Sequence, residues 1–460
     1  MEMKILKYLM TLLLMAVVVS VAAQTQNVRT MHKVEKSETV FGIAKKYGIT
    51  IEDLIAVNPE MKQQGYELKA GDTLCIPYAK NQTPQSQTTA PATNTVNKTN
   101  PTTAPLTKNK NVKVGVLLPL HDNDGDGRRM VEYYRGLLLG ADRVKKDGIN
   151  VDMHAWNVPI DADINVTLKE KDAAECDIIF GPLYTKMVKP LADFCAKNNI
   201  MMVIPFSISG NDVENYNNLF QVYQPQPDFD TQTIKNFIQW FNKDYHVVIV
   251  DCEDENSGKA DFTKKLRTEL ENYAIKYSLT SLKTNEKTFA KAFSLQQKNV
   301  VVINTEHSPS LNATLAKLNV LTEKNADISV SLFGYKEWLM YTKVYRDYYF
   351  KYDTYIPTYF YYNDMSADTK WVERNYHKWF EKDMDADALP RFALTGFDHA
   401  CFFIGGLVQF GDGFNGGKGQ MTYKPVQSPL KFKKAGKGYK NTNFMFVHYK
   451  NDRTIESVNY

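Results

Sequence analysis

Residues 176–207 read "CDIIFGPLYTKMVKPLADFCAKNNIMMVIPFS", and this stretch decides the fold of most of the chain. It holds two short apolar runs, "IIF" and "IMMVI", separated by a Gly-Pro turn and the amphipathic segment "KMVKPLADFCAKNN". Continuous apolar runs are typical of parallel strands that are buried on both faces of a sheet. A strand, a helix and a second strand within about thirty residues therefore predict one parallel βαβ unit.

The same alternation of apolar strands and amphipathic helices continues on both sides of this unit. Before it stand the strand "VKVGVLLPL" and a helix predicted over 128–148, and after it come "HVVIVD", "NVVVINTE" and "DISVSLFGY". Two consecutive sets of βαβ units predict an α/β protein with two lobes, each built on a parallel, doubly wound sheet. We place lobe one at about 111–225 together with returning C-terminal segments, and lobe two at about 226–355.

Several local strings also resemble the type I periplasmic binding-protein fold. They are "VGVLLPL", "YYRG", "SLFGYKEW", "ALTGFDHACFFIGGL" and most of the opening stretch. The nearest familiar relatives are the Leu/Ile/Val receptors and the penicillin-binding-protein activators that share their fold. The resemblance covers about residues 112–411 of a module that we assign to 111–460. The final stretch "NTNFMFVHYKNDRTIESVNY" departs from a simple receptor and predicts an added β-hairpin.

A smaller module is predicted at residues 31–78. Its apolar spacing gives the order βααβ, with Ser37 and Thr50 as N-caps of the two helices. The predicted elements are a strand at His32–Val34, helices at Val40–Tyr47 and from Thr50 through Val57, and a strand at Thr73–Pro77.

The residues of this module closely resemble the LysM domain. "KSETVFGIAKKYGITIEDLIAVNP" matches the first half of the family pattern, and "LKAGDTLCIP" matches its closing part. The resemblance implies binding of glycan that contains N-acetylglucosamine, normally peptidoglycan, in a groove between the loops flanking the two helices. The implied glycan contacts are Ser37, Glu38, Thr39, Val40, Asn58 and Pro59. Helix capping and turn formation remain alternative roles for each of these residues, above all for Ser37 and Asn58.

The N-terminus predicts export. Lys4 and Lys7 precede the apolar run "YLMTLLLMAVVVSVA", and small residues follow, as in a signal peptide over 1–23. An uncleaved anchor is the alternative. After cleavage we expect no transmembrane segment, and we predict a periplasmic, peptidoglycan-associated protein. Residues 79–110 contain no aromatic and no acidic residue, so they predict a disordered linker rich in Thr, Asn and Pro.

The stretch "HDNDGDGRRM" at 121–130 begins like a calcium loop, with Asp122, Asp124 and Asp126 alternating before a glycine. Such a loop needs an acidic ligand at its twelfth position, and counting from Asp122 places Tyr133 there. A strand also precedes the loop, where that motif has a helix. We therefore predict no metal and no cofactor, and we interpret the stretch as a loop at the carboxyl edge of the first sheet. An irregular calcium loop and a simple turn into a helix remain alternatives.

The carboxyl edge of an open α/β sheet lines the ligand crevice. This rule gives the candidate cleft residues His121, Asp122, Tyr184, Thr185, Ser207, Ser209, Asp251 and Glu306. The receptor resemblance implies that Thr185 and its neighbour Tyr184 hold a ligand's carboxylate, and that Asp251 or Glu306 meets an ammonium. Helix capping and plain solvent exposure are the competing roles. A bulky Tyr184, where the family often has Ser, could fill the pocket and would favour a scaffold.

Composition excludes several classes of function. The formal charge is only +4, from 56 basic and 52 acidic residues, so it predicts no nucleic-acid partner. The five cysteines are scattered and odd in number, and Cys176–Cys195 is the one pair worth testing as a disulfide.

Neither G-x-S-x-G, H-E-x-x-H nor a phosphate-binding P-loop occurs, and "GDGFNG" follows a predicted helix rather than a strand. We predict a protein without enzymatic activity.

Three hypotheses for function remain. The first is a wall-anchored solute-binding or sensor protein with an amino-acid-like ligand. The second is a scaffold or activator of cell-wall synthesis enzymes that has no small ligand. The third is a cell-wall hydrolase, for which no catalytic motif is found in the sequence.

Overall fold

The chain divides into two compact units, residues 1–102 and 103–460. The computed structural model describes residues 28–34, 36, 38–47, 49–58, 61, 68–77, 111–206, 208–242 and 244–459. The predicted signal peptide and linker, together with Ser37, Pro59 and Ser207, lie outside the described residues.

The N-terminal unit has the predicted βααβ order. Strand β1 pairs antiparallel with β2, with His32 opposite Leu74, and both helices pack on this two-stranded sheet. The four elements are β1 (Val28–Lys33), α1 (Val40–Tyr47), α2 (Ile51–Val57) and β2 (Thr73–Pro77). Their small core consists of Val34, Ile43, Ala44, Leu54, Leu74 and Ile76.

The two helix starts of this unit confirm one predicted cap and correct the other. Thr50 Oγ1 accepts the backbone N–H of Asp53 at 3.0 Å, as predicted for the cap of α2. Helix α1 begins at Val40, and the capping oxygen is Thr39 Oγ1, which accepts the N–H of Gly42 at 3.0 Å. The prediction of Ser37 was wrong because an N-cap must directly precede the first helical residue.

The first sheet of the large unit has seven strands in the order β13-β14-β7-β6-β5-β3-β4. All neighbours are parallel except β13 and β14. The strands are β3 (Asn111–Leu118), β4 (Asn150–Asn157), β5 (Ile178–Phe180), β6 (Met201–Ile204), β7 (Leu219–Gln221), β13 (Phe432–Ala435) and β14 (Gly438–Asn441).

The second sheet also has seven strands, in the order β16-β15-β12-β11-β10-β8-β9. Strands β8 to β12 run parallel, whereas β15 and β16 join at the edge as an antiparallel hairpin. The strands are β8 (Tyr245–Asp251), β9 (Tyr277–Ser281), β10 (Lys298–Ile303), β11 (Val330–Phe333), β12 (Thr354–Thr358), β15 (Met445–Tyr449) and β16 (Ile455–Asn459).

Helices flank both sheets of this two-lobed α/β module. Those of the first lobe are α3 (Gly125–Lys145), α4 (Ile164–Thr167), α5 (Lys171–Ala174), α6 (Val188–Lys197), α12 (Ala367–Phe380) and α13 (Phe392–Phe410). Those of the second lobe are α7 (Gln226–Trp240), α8 (Lys259–Asn272), α9 (Glu286–Ala290), α10 (Ser308–Lys324) and α11 (Thr342–Lys351). Short 3-10 turns occupy Thr185–Met187, Asp212–Glu214, Lys336–Tyr341 and Gly411–Gly413. None of the helices described is long and apolar enough to cross a membrane.

The C-terminal strands modify the predicted topology. The β-hairpin predicted for the final stretch is confirmed as β15–β16. The sheets, however, are mixed rather than purely parallel, because β13 and β15 pair antiparallel with their neighbours. The returning chain also completes both lobes, since β14 joins the first sheet and β15 the second. Each added strand covers backbone groups that an open edge would otherwise expose.

Glycines allow α3 and α13 to pack closely in lobe one. A Cβ at Gly140 would lie 2.6 Å from the Cβ of Ala400, and one at Gly396 would collide with the carbonyl oxygen of Tyr133. This contact fixes the position of α13, which lines the functional cavity described below. Cys176 and Cys195 are both buried free thiols, so the pair considered above is not bonded.

Three chain segments cross between the lobes, and hydrogen bonds join them side by side. Gln224 Nε2 donates to the carbonyl oxygen of Asn443 at 2.7 Å, and Asn443 Nδ2 donates to that of Tyr359 at 3.3 Å. The crossings are residues 222–225, 359–366 and 442–444.

Candidate functional site

A cavity of about 620 Å³ lies where the lobes meet the crossing segments. Most of its wall comes from lobe one, from the crossings and from the segment before α13, whereas lobe two contributes Met340. Its apolar and aromatic lining includes Met130, Leu183, Phe206, Tyr223, Tyr359, Leu389, Phe392 and Leu430. Its polar and charged lining includes Asp126, Arg129, Asp385, Asp387, Thr395, His399, Ser428 and Asn441.

Aromatic packing holds the lobe-one wall of this cavity. The ring of Phe206, just after β6, contacts Tyr133 of α3 edge-on with centroids 4.9 Å apart. It also packs on Phe392 at the start of α13, with centroids 5.7 Å apart. Rings in such contact stabilise each other beyond the area they bury. The loop after β6 and the start of α13 are thereby fixed on one side of the cavity.

A buried carboxylate holds another part of the wall. Asp398 of α13 is fully buried and accepts the backbone N–H groups of Val426, Gln427 and Ser428 at 2.8, 2.8 and 2.6 Å. Burial raises the pKa of Asp398 to about 6, although these three N–H donors oppose the shift. The contact fixes the irregular segment whose Ser428 lines the cavity.

His399, the next residue of α13, is a buried base, so burial shifts its pKa in the opposite direction to that of Asp398. It is 1% exposed, it lines the cavity, and its Nδ1 lies 2.9 Å from the hydroxyl of Tyr133. Burial lowers the pKa of His399 to about 3, so the ring is neutral near pH 7. Both Asp398 and His399 are polar residues inside the apolar run "ALTGFDHACFFIGG", and this interruption is the signal that could have identified them.

Two of the predicted lobe-one hydroxyl residues, Thr185 and Ser209, come together beside the cavity but do not line it. Thr185 Oγ1 accepts the backbone N–H of Ser209 at 3.1 Å, so these two loops meet as predicted. Both residues are exposed. Gly181 has φ +137°, and a Cβ there would collide with the carbonyl oxygen of Leu117. This close approach positions the following loop, and it is Leu183 that reaches the cavity.

Tyr184 packs beside the cavity instead of filling it. Its ring is half-buried against the core between the first sheet and α6, and its hydroxyl donates to Asp126 Oδ2 at 3.4 Å. Burial and the nearby Asp126 carboxylate raise the pKa of Tyr184 to about 12. The bulk of this side chain therefore leaves the 620 Å³ space open.

The loop "HDNDGDG" is a helix start. Asp124 Oδ1 accepts the N–H of Gly127 at 2.7 Å and caps α3. His121 and Asp122 line a second cavity, of about 620 Å³, which shares Arg129 and Asp385 with the first. Among the residues that the structure describes, no group of three or more His, Cys, Asp or Glu side chains is placed to hold a metal ion.

The two acids predicted in lobe two do not line the cavity between the lobes. Asp251 ends β8, accepts the N–H of Glu253 at 2.8 Å, and lines a separate depression beside α8. Glu306 Oε2 accepts the hydroxyl of Ser257, and its Oε1 accepts the N–H of Gly258 at 3.0 Å. Burial acts to raise the pKa of Glu306, but these two hydrogen bonds, together with its own backbone N–H and the nearby Lys259, leave the pKa lowered.

Other charged side chains at this edge of lobe two are bonded to one another. Lys259 Nζ lies 3.1 Å from Glu337 Oε2, and Lys336 Nζ lies 3.0 Å from Glu337 Oε1. Asp254 Oδ2 accepts the hydroxyl of Thr305 at 2.6 Å. The edge is thus a self-contained network of ion pairs and hydrogen bonds.

The predicted glycan contacts of the N-terminal unit fall into two groups. Glu38 lies at the surface before α1, and its carboxylate bonds His32 Nε2 at 2.7 Å and Lys46 Nζ at 3.4 Å. Val40 is half-buried at the first position of α1. Asn58 is 1% exposed, and its Nδ2 donates to the carbonyl oxygen of Leu54 at 2.7 Å. Thr39 and Asn58 thus have the geometry of the capping alternative, whereas Glu38 remains at the surface.

Comparison with known proteins finds a family match for the N-terminal unit and a fold likeness for the large unit. The model of the LysM domain matches residues 32–77. No curated protein shows significant sequence similarity to the chain. Among solved structures, a putative branched-chain amino acid ABC transporter from Rhodospirillum rubrum superposes with a TM-score of 0.52 at 11% identity. The match covers 75% of this chain and 99% of that one.

Two further structures are similar at lower scores. One is an ABC transporter substrate-binding protein from Desulfitobacterium hafniense in complex with Leu, with 13% identity and a TM-score of 0.41 over 76% of this chain and 100% of that one. The other is a substrate-binding protein from Sphaerobacter thermophilus, with 14% identity and a TM-score of 0.43 over 76% and 97%. At such identities a likeness concerns fold and says nothing of ligand. The chain thus joins a LysM domain at residues 32–77 to a large module with the fold of the type I periplasmic binding proteins.

Proposed function

We propose that the LysM domain holds this protein on peptidoglycan while the large module binds a small amino-acid-like ligand in the cavity between its lobes. Two observations support the proposal: the LysM match at residues 32–77 and the binding-protein fold of the larger unit. LysM domains and proteins of the binding-protein fold are non-catalytic, so the activity that we propose is binding. They also agree with an extracytoplasmic, wall-associated location, which we take to be the periplasm.

The cavity itself is the observation that carries the ligand-binding proposal. Its volume of about 620 Å³ lies within the range of small-molecule sites, and most of its lining is apolar with a few polar groups. It also lies beside the three crossings, about which the lobes could rotate. A ligand that contacts both lobes would stabilise a closed arrangement through those shared contacts, and a ligand on one lobe alone would not.

A panel of amino acids, amino-acid amides and peptidoglycan fragments would test this proposal by thermal shift and calorimetry. Ala388→Trp should fill the cavity, because Ala388 lines it, and should abolish any binding that the panel reveals. Ala435→Trp is the matched control, since Ala435 is also half-exposed but lies on β13 and lines none of the described cavities. Equal loss in both variants, or none in either, would contradict binding in this cavity.

Anchoring is tested by co-sedimentation with purified peptidoglycan. The full chain should pellet, and a chain that starts at residue 103 should stay in solution, because the two parts form separate compact units. If the shortened chain pellets equally well, the LysM domain is not the anchor.

A scaffold or activator of cell-wall synthesis enzymes, with no small ligand, is the second candidate. The observation that favours it is the bonded edge of lobe two, where Glu306 already accepts two hydrogen bonds and Glu337 pairs with two lysines. Native mass spectrometry of the freshly purified protein separates the candidates. A retained small molecule supports the receptor, and a bare chain that captures no member of the panel supports the scaffold.

A further inference from the structure

The charged groups that line the cavity between the lobes are unevenly balanced. Asp126 Oδ1 and Arg129 Nη2 form an ion pair at 2.5 Å, so their charges largely cancel. Asp385 and Asp387 also line the cavity, and neither carboxylate forms an ion pair with any residue that the structure describes. The nearby Arg391 is directed elsewhere: its guanidinium donates to the backbone oxygen of Asp385 and lies over the ring of Tyr362. One rim of the cavity is therefore acidic.

Local hydrogen bonds fix this acidic rim. Asp385 Oδ1 accepts the backbone N–H of Asp387 at 2.9 Å, and Asp385 N–H donates to Glu132 Oε1 at 3.2 Å. These bonds hold the backbone around both acids in place, while Asp385 and Asp387 remain exposed. A cation that binds beside either carboxylate is attracted to it.

The buried side of the cavity offers a hydrogen-bond donor. The hydroxyl of Tyr133 is fully buried, and its one partner among the described residues is His399 Nδ1, at 2.9 Å. If Nδ1 carried the proton, the phenolic proton would have no acceptor, and an unmet buried donor is costly. The arrangement therefore places the proton of the neutral imidazole on Nε2. That N–H has no partner among the described residues, and His399 lines the cavity.

Much of the remaining lining is apolar. Met130, Phe206, Phe392 and Leu430 line the space from lobe one and from the segments around α13. Such a surface excludes water and favours an aromatic or branched aliphatic group.

We propose that the cavity selects apolar amines with a carbonyl acceptor, as in apolar amino-acid amides, over ligands with a free carboxylate. The amine lies towards Asp385 and Asp387, the apolar group packs on Phe206 and Phe392, and the carbonyl accepts from His399. This inference rests on the proposed binding function and deepens it. It differs from the arrangement that the receptor resemblance implies, in which Tyr184 and Thr185 hold a carboxylate.

Three probes with one apolar skeleton test the charge preference. They are the cation L-phenylalaninamide, the neutral N-acetyl-L-phenylalaninamide and the anion N-acetyl-L-phenylalanine. Calorimetry on the full chain should rank them cation, neutral, anion. We expect about three- to tenfold between successive members at low salt, because partly exposed charge contacts are modest. The spread should narrow at high salt.

Two sets of variants identify the groups responsible. Asp385→Asn with Asp387→Asn should bring the cation down to the affinity of the neutral probe and leave the neutral probe unchanged. Asp161→Asn, an exposed acid of lobe one that lines none of the described cavities, should change nothing. His399→Phe should weaken L-phenylalaninamide but not phenethylamine, which has the same ring and amine without the carbonyl.

The results with these probes and variants distinguish a failure of this inference from a failure of the proposed binding function. If the neutral or anionic probe binds as tightly as the cation, or tighter, the ligand class is wrong while binding in the cavity stands. If L-phenylalaninamide does not bind at all, the inference is overturned, and the wider panel with Ala388→Trp decides whether the cavity binds any ligand.

Discussion

The two lobes meet the cavity in different ways. Lobe one, with the crossings and α13, supplies an apolar wall together with groups that have unused bonding capacity, such as Asp385, Asp387 and His399. Lobe two lines the cavity with Met340, and the charged side chains at its sheet edge bond one another. At both sheet edges the predicted polar residues thus bond other protein groups, as Thr185 does with Ser209 and Glu306 with Gly258. The groups that lobe one leaves open to a ligand lie instead in the segment before α13 and on α13 itself. The contrast teaches that a residue's existing partners, more than its position at a sheet edge, decide whether it is available to a ligand.

The largest expected effect concerns stability in lobe two. Asp353 accepts hydrogen bonds from Lys298 Nζ at 2.6 Å, Ser331 Oγ at 3.0 Å and His448 Nε2 at 2.7 Å, and so ties the hairpin strand β15 to the sheet. Asp353→Asn should lower the free energy of unfolding by about 3 kcal/mol near neutral pH, because it breaks a buried ion pair. Urea unfolding measures this cost, and ligand affinity should not change.

The same variant should show a defined pH dependence. Burial acts to raise the pKa of Asp353, but the bonds from His448 and Lys298 outweigh it and lower the pKa well below the ordinary 3.8. The folded state therefore favours the charged form, and its contribution is present above pH 3.8 and is lost as the pH falls through the lower, folded value. The gap between Asp353→Asn and the native chain should shrink on acidification, and a constant gap would contradict this assignment.

A smaller loss of stability is expected at Glu306. Glu306→Ala removes the acceptor for Ser257 and Gly258 at the start of α8 and should cost about 1–2 kcal/mol. Glu306→Gln, which keeps one acceptor oxygen, should lose less. Affinity for any cavity ligand should be the same in all three chains. A tenfold loss of affinity in Glu306→Ala would break the contrast between the lobes, because it would return this acid to ligand binding.

In lobe one we expect substitutions in the cavity wall to lower ligand affinity. Phe206→Leu removes an aromatic wall but keeps a bulky apolar side chain, so affinity should drop by about three- to tenfold, equivalent to about 1 kcal/mol. Thr185→Ala is the control from the same sheet edge, and calorimetry should show no change. If Thr185→Ala weakens binding more than Phe206→Leu does, the ligand lies nearer the loops predicted from the receptor resemblance.

The smallest effect is expected at Met340. This side chain is 57% exposed and is the contribution of lobe two to the cavity lining. Met340→Ala should weaken binding by only about twofold, because part of its surface stays in water even when the ligand is bound. A large loss would mean that closure buries this residue far more deeply and that lobe two contributes as much as lobe one.

Local sequence patterns predicted the helices and strands well, but they predicted the hydrogen-bond partners of the site residues poorly. Strands such as β3 and β8 are continuous apolar runs, so their positions followed directly from the sequence. The bonds that occupy Glu306 come from Ser257 and Gly258, far away in the chain, and no local pattern reveals them. Asp385 and Asp387 lie in a segment without regular structure, where periodicity gives no signal. Their place in the cavity depends on tertiary packing.

The return of the chain to both sheets has a consequence for folding order. Strands β8 to β12 come from one continuous stretch, so most of lobe two can assemble as soon as residues 226–358 are available. Lobe one must wait for α13, which packs on α3 only after residues 226–358, most of lobe two, have been added between them. Closing so long a loop costs entropy and slows folding. We therefore expect lobe two to form first, and chains arrested during refolding to carry an ordered second lobe beside an unfinished first lobe and an unformed cavity.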